Sequence, residues 1–163
     1  MRQLTFIIVP VLLAGCATVS KPVPEDYKGP VVEVADTGKQ EDGSKGQFFV
    51  LEEIDGKRIE NAVYESRAAS YGKGATLTSR YTVRNVPTRP MQVKLVGTHQ
   101  TGAPIHEIAS KMAGTFFRVE GVVEFKPAEG NRYQVTGELT KEKSCVWIAD
   151  AMTKQPSTEK VCK

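Results

Sequence analysis

Short runs in which apolar and polar side chains alternate recur along most of the chain, and this period of two is the pattern of β-strands with one buried face. The clearest run places apolar or small residues at every second position: Phe117, Val119, Gly121, Val123 and Phe125. Its intervening positions include Arg118, Glu120 and Glu124. A second run, from Tyr133 to Leu139, follows the glycine-containing segment 127–131. The two runs predict a pair of strands joined as a hairpin.

A two-residue turn signal follows the run Phe48–Ile54, because Asp55-Gly56 is a preferred pair for tight hairpins. The register of such a hairpin places Ile54 opposite Lys57, and Glu53 opposite Arg58. The same turn role explains Asp55 better than metal binding does.

A further run extends from Leu77 to Arg84, with Val83 predicted to face inward and Arg84 outward. It follows Tyr71-Gly72-Lys73-Gly74, whose spacing does not fit a phosphate-binding loop. We interpret that segment as a loop leading into a strand at Ala75. A turn at 87–90 then returns the chain through Val93 and Leu95, which brings Arg84 opposite Lys94.

One segment has helical spacing, with Ile105, Ile108, Ala109 and Met112 on one side of residues 104–112. Pro104 suits the first helical turn and Gly114 the C-terminal cap. With Val31–Val34 as an edge strand, the chain has eight to ten short strands and one short helix. We therefore predict a mainly β fold, an antiparallel β-sandwich, with a small β-barrel as the alternative.

The N-terminus carries an apolar run, Leu4–Leu13, that is too short to span a bilayer, which requires roughly twenty residues. It reads as a secretory signal with a small-residue processing site. Leu13-Ala14-Gly15-Cys16 resembles the lipobox of bacterial lipoproteins. The resemblance implies a signal peptide over residues 1–15 and a Cys16 that carries a diacylglycerol thioether and a fatty acid such as palmitate. Ala17, rather than Asp, follows Cys16, which by the same resemblance implies the outer membrane.

Residues 16–30 then contain the lipidated cysteine and a proline-rich tether, with Pro22, Pro24 and Pro30. Fourteen extended residues reach about 40 Å, enough to hold a domain clear of the membrane. The remaining residues, 31–163, are long enough for one domain.

The other two cysteines, Cys145 and Cys162, form an even pair in an oxidising compartment. We predict a strand at Ser144–Ala149 and a short return strand at Glu159–Cys162. If Val146 faces Val161, Cys145 faces Cys162, which predicts a structural disulfide. Trp147 lies on the disulfide side of its strand, where we expect it to be core or half-buried.

The segments "IDGK", "GNRYQVTGEL" and "VWIADAMT" make residues 47–163 resemble small envelope lipoproteins with an immunoglobulin- or transthyretin-like sandwich. These motifs are turns and strand starts, so the resemblance concerns the fold and carries no catalytic residue.

Catalytic chemistry has little support in the sequence. The two histidines, His99 and His106, have no nucleophile elbow and no metal-ligand spacing around them, so we interpret both as hydrogen-bonded or solvated surface residues. No catalytic residue, metal or cofactor is predicted. A net charge of +3, from 22 basic and 19 acidic residues, gives no support to nucleic-acid binding.

Four basic residues, Arg80, Arg84, Arg89 and Lys94, would line one exposed strip in the predicted register. Nearby acids such as Glu120 or Glu124 could neutralise them. Alternatively, the strip could contact an anionic lipid or an acidic protein face.

From these observations we expect a non-enzymatic protein, anchored by lipid to the outer membrane and facing the periplasm rather than the cell surface. It would act as an accessory subunit that binds an envelope protein. The alternatives are a module that binds a small ligand or lipid between its sheets and, with least support, a periplasmic hydrolase.

Overall fold

Residues 19–163, the part of the chain that the computed structural model describes, form ten strands and two helices. In chain order they are β1 (Val31–Ala35), β2 (Thr37–Gln40), β3 (Lys45–Ile54), β4 (Lys57–Arg58), α1 (Ala62–Ser70), β5 (Val83–Pro87), β6 (Met91–Thr101), α2 (Pro104–Met112), β7 (Arg118–Phe125), β8 (Arg132–Leu139), β9 (Ser144–Asp150) and β10 (Val161–Cys162). The predicted signal peptide and Cys16 lie outside the described residues.

The strands form two sheets that stack face to face as a β-sandwich, as predicted, rather than closing into one barrel. Sheet A has the order β10-β9-β8-β1-β5, and sheet B has the order β2-β3-β6-β7 with β4 beside β3. The neighbouring strands are antiparallel except for β1 and β8, which run parallel.

The core lies between the sheets and is filled by the apolar positions of the alternating runs. Phe49 from sheet B and Val135 from sheet A belong to this single cluster of buried side chains. The ring of Phe49 lies where a Cβ at Gly137 would be, only 2.6 Å from that position. Gly137 therefore lets the two sheets approach, and a side chain there would displace Phe49 or the strand.

The Asp55-Gly56 hairpin is confirmed. Asp55 and Gly56 both have positive φ, 49° and 75°, which is the backbone that this two-residue turn requires. The register is also confirmed, because Ile54 pairs with Lys57 and Glu53 pairs with Arg58.

The two other predicted hairpins are wrong, because each connection crosses from one sheet to the other. β7 pairs with β6 in sheet B, whereas β8 pairs with β1 and β9 in sheet A. Likewise, β5 pairs with β1, so the segment 87–90 leads from sheet A to β6 in sheet B. The strand β1 is also interior rather than at an edge, since it lies between β8 and β5.

The predicted facing of the run before this crossing holds at Leu77, which is buried, and at Arg80, which is exposed, but it is reversed at Val83 and Arg84. Arg84 is buried and Val83 is exposed, and the strand begins at Val83 instead of Ala75. The physical reason is an ion pair: the Arg84 guanidinium donates to both carboxylate oxygens of Asp36, which is also buried. Arg84 pairs with Val34 in the sheet, not with Lys94.

The helix at Pro104–Met112 is confirmed, including Gly114 with positive φ just after it. The helix α1, in contrast, has no counterpart in the predicted elements. Asn61 caps it, because its side-chain oxygen accepts from the Val63 and Tyr64 N–H groups.

The Cys145–Cys162 disulfide is confirmed, with Val146 opposite Val161 in the predicted register. Val161 also packs on β7, where its side chain fills the space above Gly121. Trp147 is half-buried on the outer side of sheet A, with the Lys160 ammonium 4.1 Å from its ring centre.

The described part of the predicted tether, residues 19–30, contains no helix or strand. Its two ends are nevertheless hydrogen bonded to the folded part. The Ser20 N–H donates to the Arg58 carbonyl at 2.7 Å, and the Pro30 carbonyl accepts from the Thr88 N–H at 2.9 Å.

Candidate functional site

A groove of about 1080 Å³ lies on the outer face of sheet B, between the two helices. We call it the outer groove. Thr98 and Gln100 of β6 lie at its floor, Arg67 and the following Tyr71 belong to the α1 wall, and the α2 wall carries Lys111.

The floor of the outer groove has an unusual residue at Gln100. Gln100 is only 6% exposed, and we find no hydrogen bond from its amide to any residue between 19 and 163, yet it is not among the side chains whose fully buried polar atoms lack a partner. Since Gln100 lines the groove, its amide can be reached by a molecule bound there.

The helix α1 is held over sheet B by apolar contacts, and its serines join it to the segment 78–80 before β5. Ala62 packs with Phe48 and Val96 in a second, smaller core on this outer face. Ser66 Oγ donates to the Arg80 carbonyl and accepts from the Arg80 N–H, at 3.1 and 2.8 Å. Ser70 Oγ accepts from the Thr78 N–H at 2.9 Å. These contacts fix the position of α1, which forms the wall that carries Arg67 and the following Tyr71.

Positive charge dominates the lining of the outer groove. Lys111 pairs with Glu107 at 2.6 Å and lies 5.0 Å from the ring centre of Phe116. Arg67 has no acidic partner within 4.0 Å in the described part of the chain. Arg118 completes this end, and its guanidinium lowers the pKa of the neighbouring Glu120 by hydrogen bonding to that carboxylate.

The histidine nearest the groove, His99, is buried, so its predicted surface position is wrong and its predicted hydrogen bonding is right. Its Nδ1 accepts from the Phe117 N–H at 3.0 Å, and its Nε2 donates to Glu41 at 3.0 Å. Burial raises the pKa of Glu41, but hydrogen bonds from Gln47, His99 and Lys45 outweigh it and leave that pKa below its ordinary value. Both ring nitrogens are therefore engaged in holding β6 to its neighbours.

The second histidine, His106, lies on the other side of α2, in a shallow hollow beside Asp42 and Lys45. The structure thus separates the environments of the two histidines.

The four residues of the predicted basic strip do not share one surface. Arg84 is buried with Asp36, whereas Arg80 is exposed and precedes β5. Arg89 pairs with Asp55 at 2.6 Å; burial raises the pKa of Asp55, but Arg89 and the Gln92 N–H outweigh this and lower it.

Lys94 lies on the outer face of sheet B, where Glu52 is 2.8 Å and Glu120 is 3.8 Å from its ammonium. The hydrogen bond to Glu52 is the main cause of its raised pKa. Nearby acidic residues therefore neutralise the charge of Lys94. Glu120 is one of the two acids that were predicted for this role.

The apolar side of α2 faces solvent instead of the core. Ile105, Ile108 and Met112 are 66%, 55% and 85% exposed, and Ala109 between them is exposed as well. The half-buried residues of the helix are His106, Glu107 and Ser110 on its polar side. We call the four exposed residues the α2 ridge.

The sequence predicted this apolar stripe but not its direction, and it did not point to Gln100, Arg67 or Tyr71 as neighbours. One available signal was the polar segment Thr98–Thr101. It follows the apolar residues Leu95 and Val96 in the same strand, and polar side chains at buried positions require partners.

No family model, curated protein or solved structure matches this chain. None of the helices in residues 19–163 is long and apolar enough to cross a membrane.

Proposed function

We propose that this chain is a non-enzymatic, lipid-anchored protein of the bacterial outer membrane, facing the periplasm, that binds an envelope protein through the outer groove. The observation that carries the proposal is Gln100, a nearly buried residue whose amide borders an open groove. The lipid anchor rests on the Leu13-Ala14-Gly15-Cys16 motif.

The chemistry of the groove favours an extended, acidic segment of the partner. A glutamine amide both donates and accepts, so it can bind a backbone peptide group, which offers the same two functions. The lining contains the basic residues Arg67, Lys111 and Arg118 but only one acidic side chain, that of Glu107. This excess of positive charge favours acidic side chains in the partner. The rings of Tyr71 and Phe116 add apolar area at the rim.

The alternative remains a small ligand, and the groove volume of about 1080 Å³ favours it as a second candidate. Such a ligand would bind outside the sandwich, because apolar side chains fill the space between the sheets.

A photo-crosslinking residue at position 71 in intact cells tests the proposal, since Tyr71 is 90% exposed at the groove rim. The matched control is the same residue at Met152, which is 83% exposed in the turn after β9 and does not line the groove. We expect one envelope protein joined to position 71 and absent from position 152. Equal crosslinking from both positions would contradict a specific site.

Gln100→Leu separates binding from stability at the same site. The substitution removes an amide for which we find no hydrogen bond to residues 19–163, so we expect the unfolding midpoint to change little while the crosslink is lost. Arg67→Glu should weaken the crosslink, whereas Lys28→Glu changes the net charge equally outside the groove and should not. A crosslink that persists in both groove variants would overturn the assignment of the site. If a small molecule copurifies with the protein and its addition abolishes the crosslink, the result would favour the alternative.

A further inference from the structure

We propose that the α2 ridge lies in the lipid surface to which the chain is anchored, so that the domain rests on the membrane instead of standing clear of it. This inference depends on the proposed lipid anchor and adds a second membrane contact, made by protein side chains.

The orientation of α2 is the first argument. A nine-residue helix with four apolar residues on one side normally buries them, yet here the polar side packs on the domain and the apolar side is open. An amphipathic helix can instead place its apolar side at the boundary between lipid headgroups and acyl chains. A nine-residue helix is far too short to span the bilayer, so contact in the plane of the membrane is the mode that fits its length.

The place where the described chain begins is the second argument. Val19 lines a hollow on the outer face of sheet B whose other walls include Val63, Arg67 and Arg118. These same three residues also line the outer groove, which α2 borders. The chain therefore enters on the side of the molecule that carries α2. Cys16 precedes Val19 by three residues, so a lipid on Cys16 begins within about 10 Å of this side.

The arrangement of charge around α2 is the third argument. Glu107 is the acidic residue of the helix, and its pairing with Lys111 at 2.6 Å leaves no unpaired carboxylate on α2. Lys73 lies on the exposed loop after α1 and complements anionic phospholipid headgroups. Tyr64 is 56% exposed beside Val19, and tyrosine is a residue that membrane interfaces favour.

The ridge and the outer groove occupy different sides of α2. The groove is lined by Pro104, Glu107 and Lys111, and none of the four ridge residues lines it. A membrane under the ridge therefore leaves the groove open to a partner that approaches along the membrane.

The test measures the depth of the ridge in the full-length, lipidated protein, reconstituted in vesicles of phosphatidylethanolamine and phosphatidylglycerol. A spin label on Ile108→Cys has one free thiol to react with, because Cys145 and Cys162 are joined and the anchor occupies Cys16. Collision with oxygen reports the bilayer, and collision with a water-soluble nickel chelate reports water. The matched control is the same label on Met152→Cys, at an exposed apolar residue after β9.

In the vesicles, we expect the ratio of oxygen to nickel collisions to be several-fold higher at position 108 than at position 152. For the unlipidated Cys16→Ser form in detergent-free buffer, we expect the ratio at position 108 to equal the control value. A water-like ratio at 108 in vesicle-bound protein would overturn the docking while leaving the anchor intact. Spin–spin broadening between labels at 108 would also overturn it, because a second copy would then cover the ridge. A mature chain whose mass shows no lipid would remove the anchor and this inference together.

Discussion

At the scale of single residues, the buried ion pair between Asp36 and Arg84 does more than join two charges. The Asp36 carboxylate also accepts from the Leu51 N–H at 3.0 Å and from the Ala62 N–H at 2.8 Å. It therefore connects the end of β1 in sheet A to β3 in sheet B and to the first residue of α1. Such a pair contributes little net stability when intact, but losing one partner strands the other charge in the interior.

Asp36→Ala should consequently lower the free energy of unfolding by about 3–5 kcal/mol, measured by urea denaturation. Arg84 would remain buried without its counter-charge, and two backbone N–H groups would lose their acceptor. Glu25→Ala is the matched control, because its pair with Lys21 is exposed on both sides and should contribute almost nothing. Equal unfolding free energies for the two variants would show that the pair at Asp36 is dispensable.

The hydrogen bonds that Gln47 and His99 donate to Glu41 make stability depend on pH on the acidic side. The pKa of Glu41 is lower in the folded protein than its ordinary value of 4.5, so the folded state binds fewer protons than the unfolded state. This contribution is present above pH 4.5 and is lost as the pH falls through the lowered pKa. We expect the difference in unfolding free energy between the wild type and Glu41→Gln to be largest at neutral pH and to shrink toward pH 3. A difference that stays constant over this range would contradict the role of the carboxylate.

At the scale of elements, the period-two runs correctly predicted which residues face the core in β7 and β8, because that depends on the alternation of side chains along one strand. They did not predict which strands are neighbours. Segments 87–90 and 127–131 have the composition of hairpin turns, yet both cross between the sheets, and composition alone carries no information about the partner strand. The facing of β5 failed for a related reason: Arg84 enters the interior only because Asp36, 48 positions away, meets it there.

The helix α2 also shows that local sequence signals predict where an element begins and ends but not how it packs. Pro104 and Gly114 are local signals and correctly bounded α2, whereas the direction of its apolar side depends on what surrounds it. The candidate site is less predictable than the fold, since Gln100, Arg67 and Tyr71 belong to three separate segments that only the tertiary structure brings together.

The disulfide fastens one of the two shortest strands, since β4 and β10 have two residues each. β10 has two residues, pairs only with β9 at the end of sheet A, and places Val161 on β7 of sheet B. Because the closed loop spans 17 positions, reduction should lower the free energy of unfolding by about 3 kcal/mol. The measurement is chemical denaturation with and without reductant, and the double variant Cys145→Ala, Cys162→Ala should be insensitive to reductant. Superimposable curves for the wild type in both conditions would rule out this stabilisation.

At the scale of the whole molecule, the segment between the anchor and the domain determines how far the domain stands from the membrane. The sequence predicted an extended tether of about 40 Å from the prolines alone. In the structure, Ser20 and Pro30 are hydrogen bonded to Arg58 and Thr88, so the segment follows the surface of the domain. Backbone bonds of this kind depend on residues far along the chain and are not visible in local composition.

The proposed lipid anchor on Cys16 can be tested in cells. Cys16→Ser should abolish incorporation of labelled palmitate and leave the protein either unprocessed, with a larger mass, or in the soluble fraction. The reason is that Cys16 would be both the processing residue and the point of lipid attachment, and two or more acyl chains are needed for stable membrane binding. The double variant Cys145→Ala, Cys162→Ala removes the other two cysteines and should keep the label and the membrane fraction. Palmitate that persists in Cys16→Ser would refute the lipid anchor. Membrane association of a Cys16→Ser form that lacks residues 1–15 would mean that side chains such as those of the α2 ridge suffice to hold the protein.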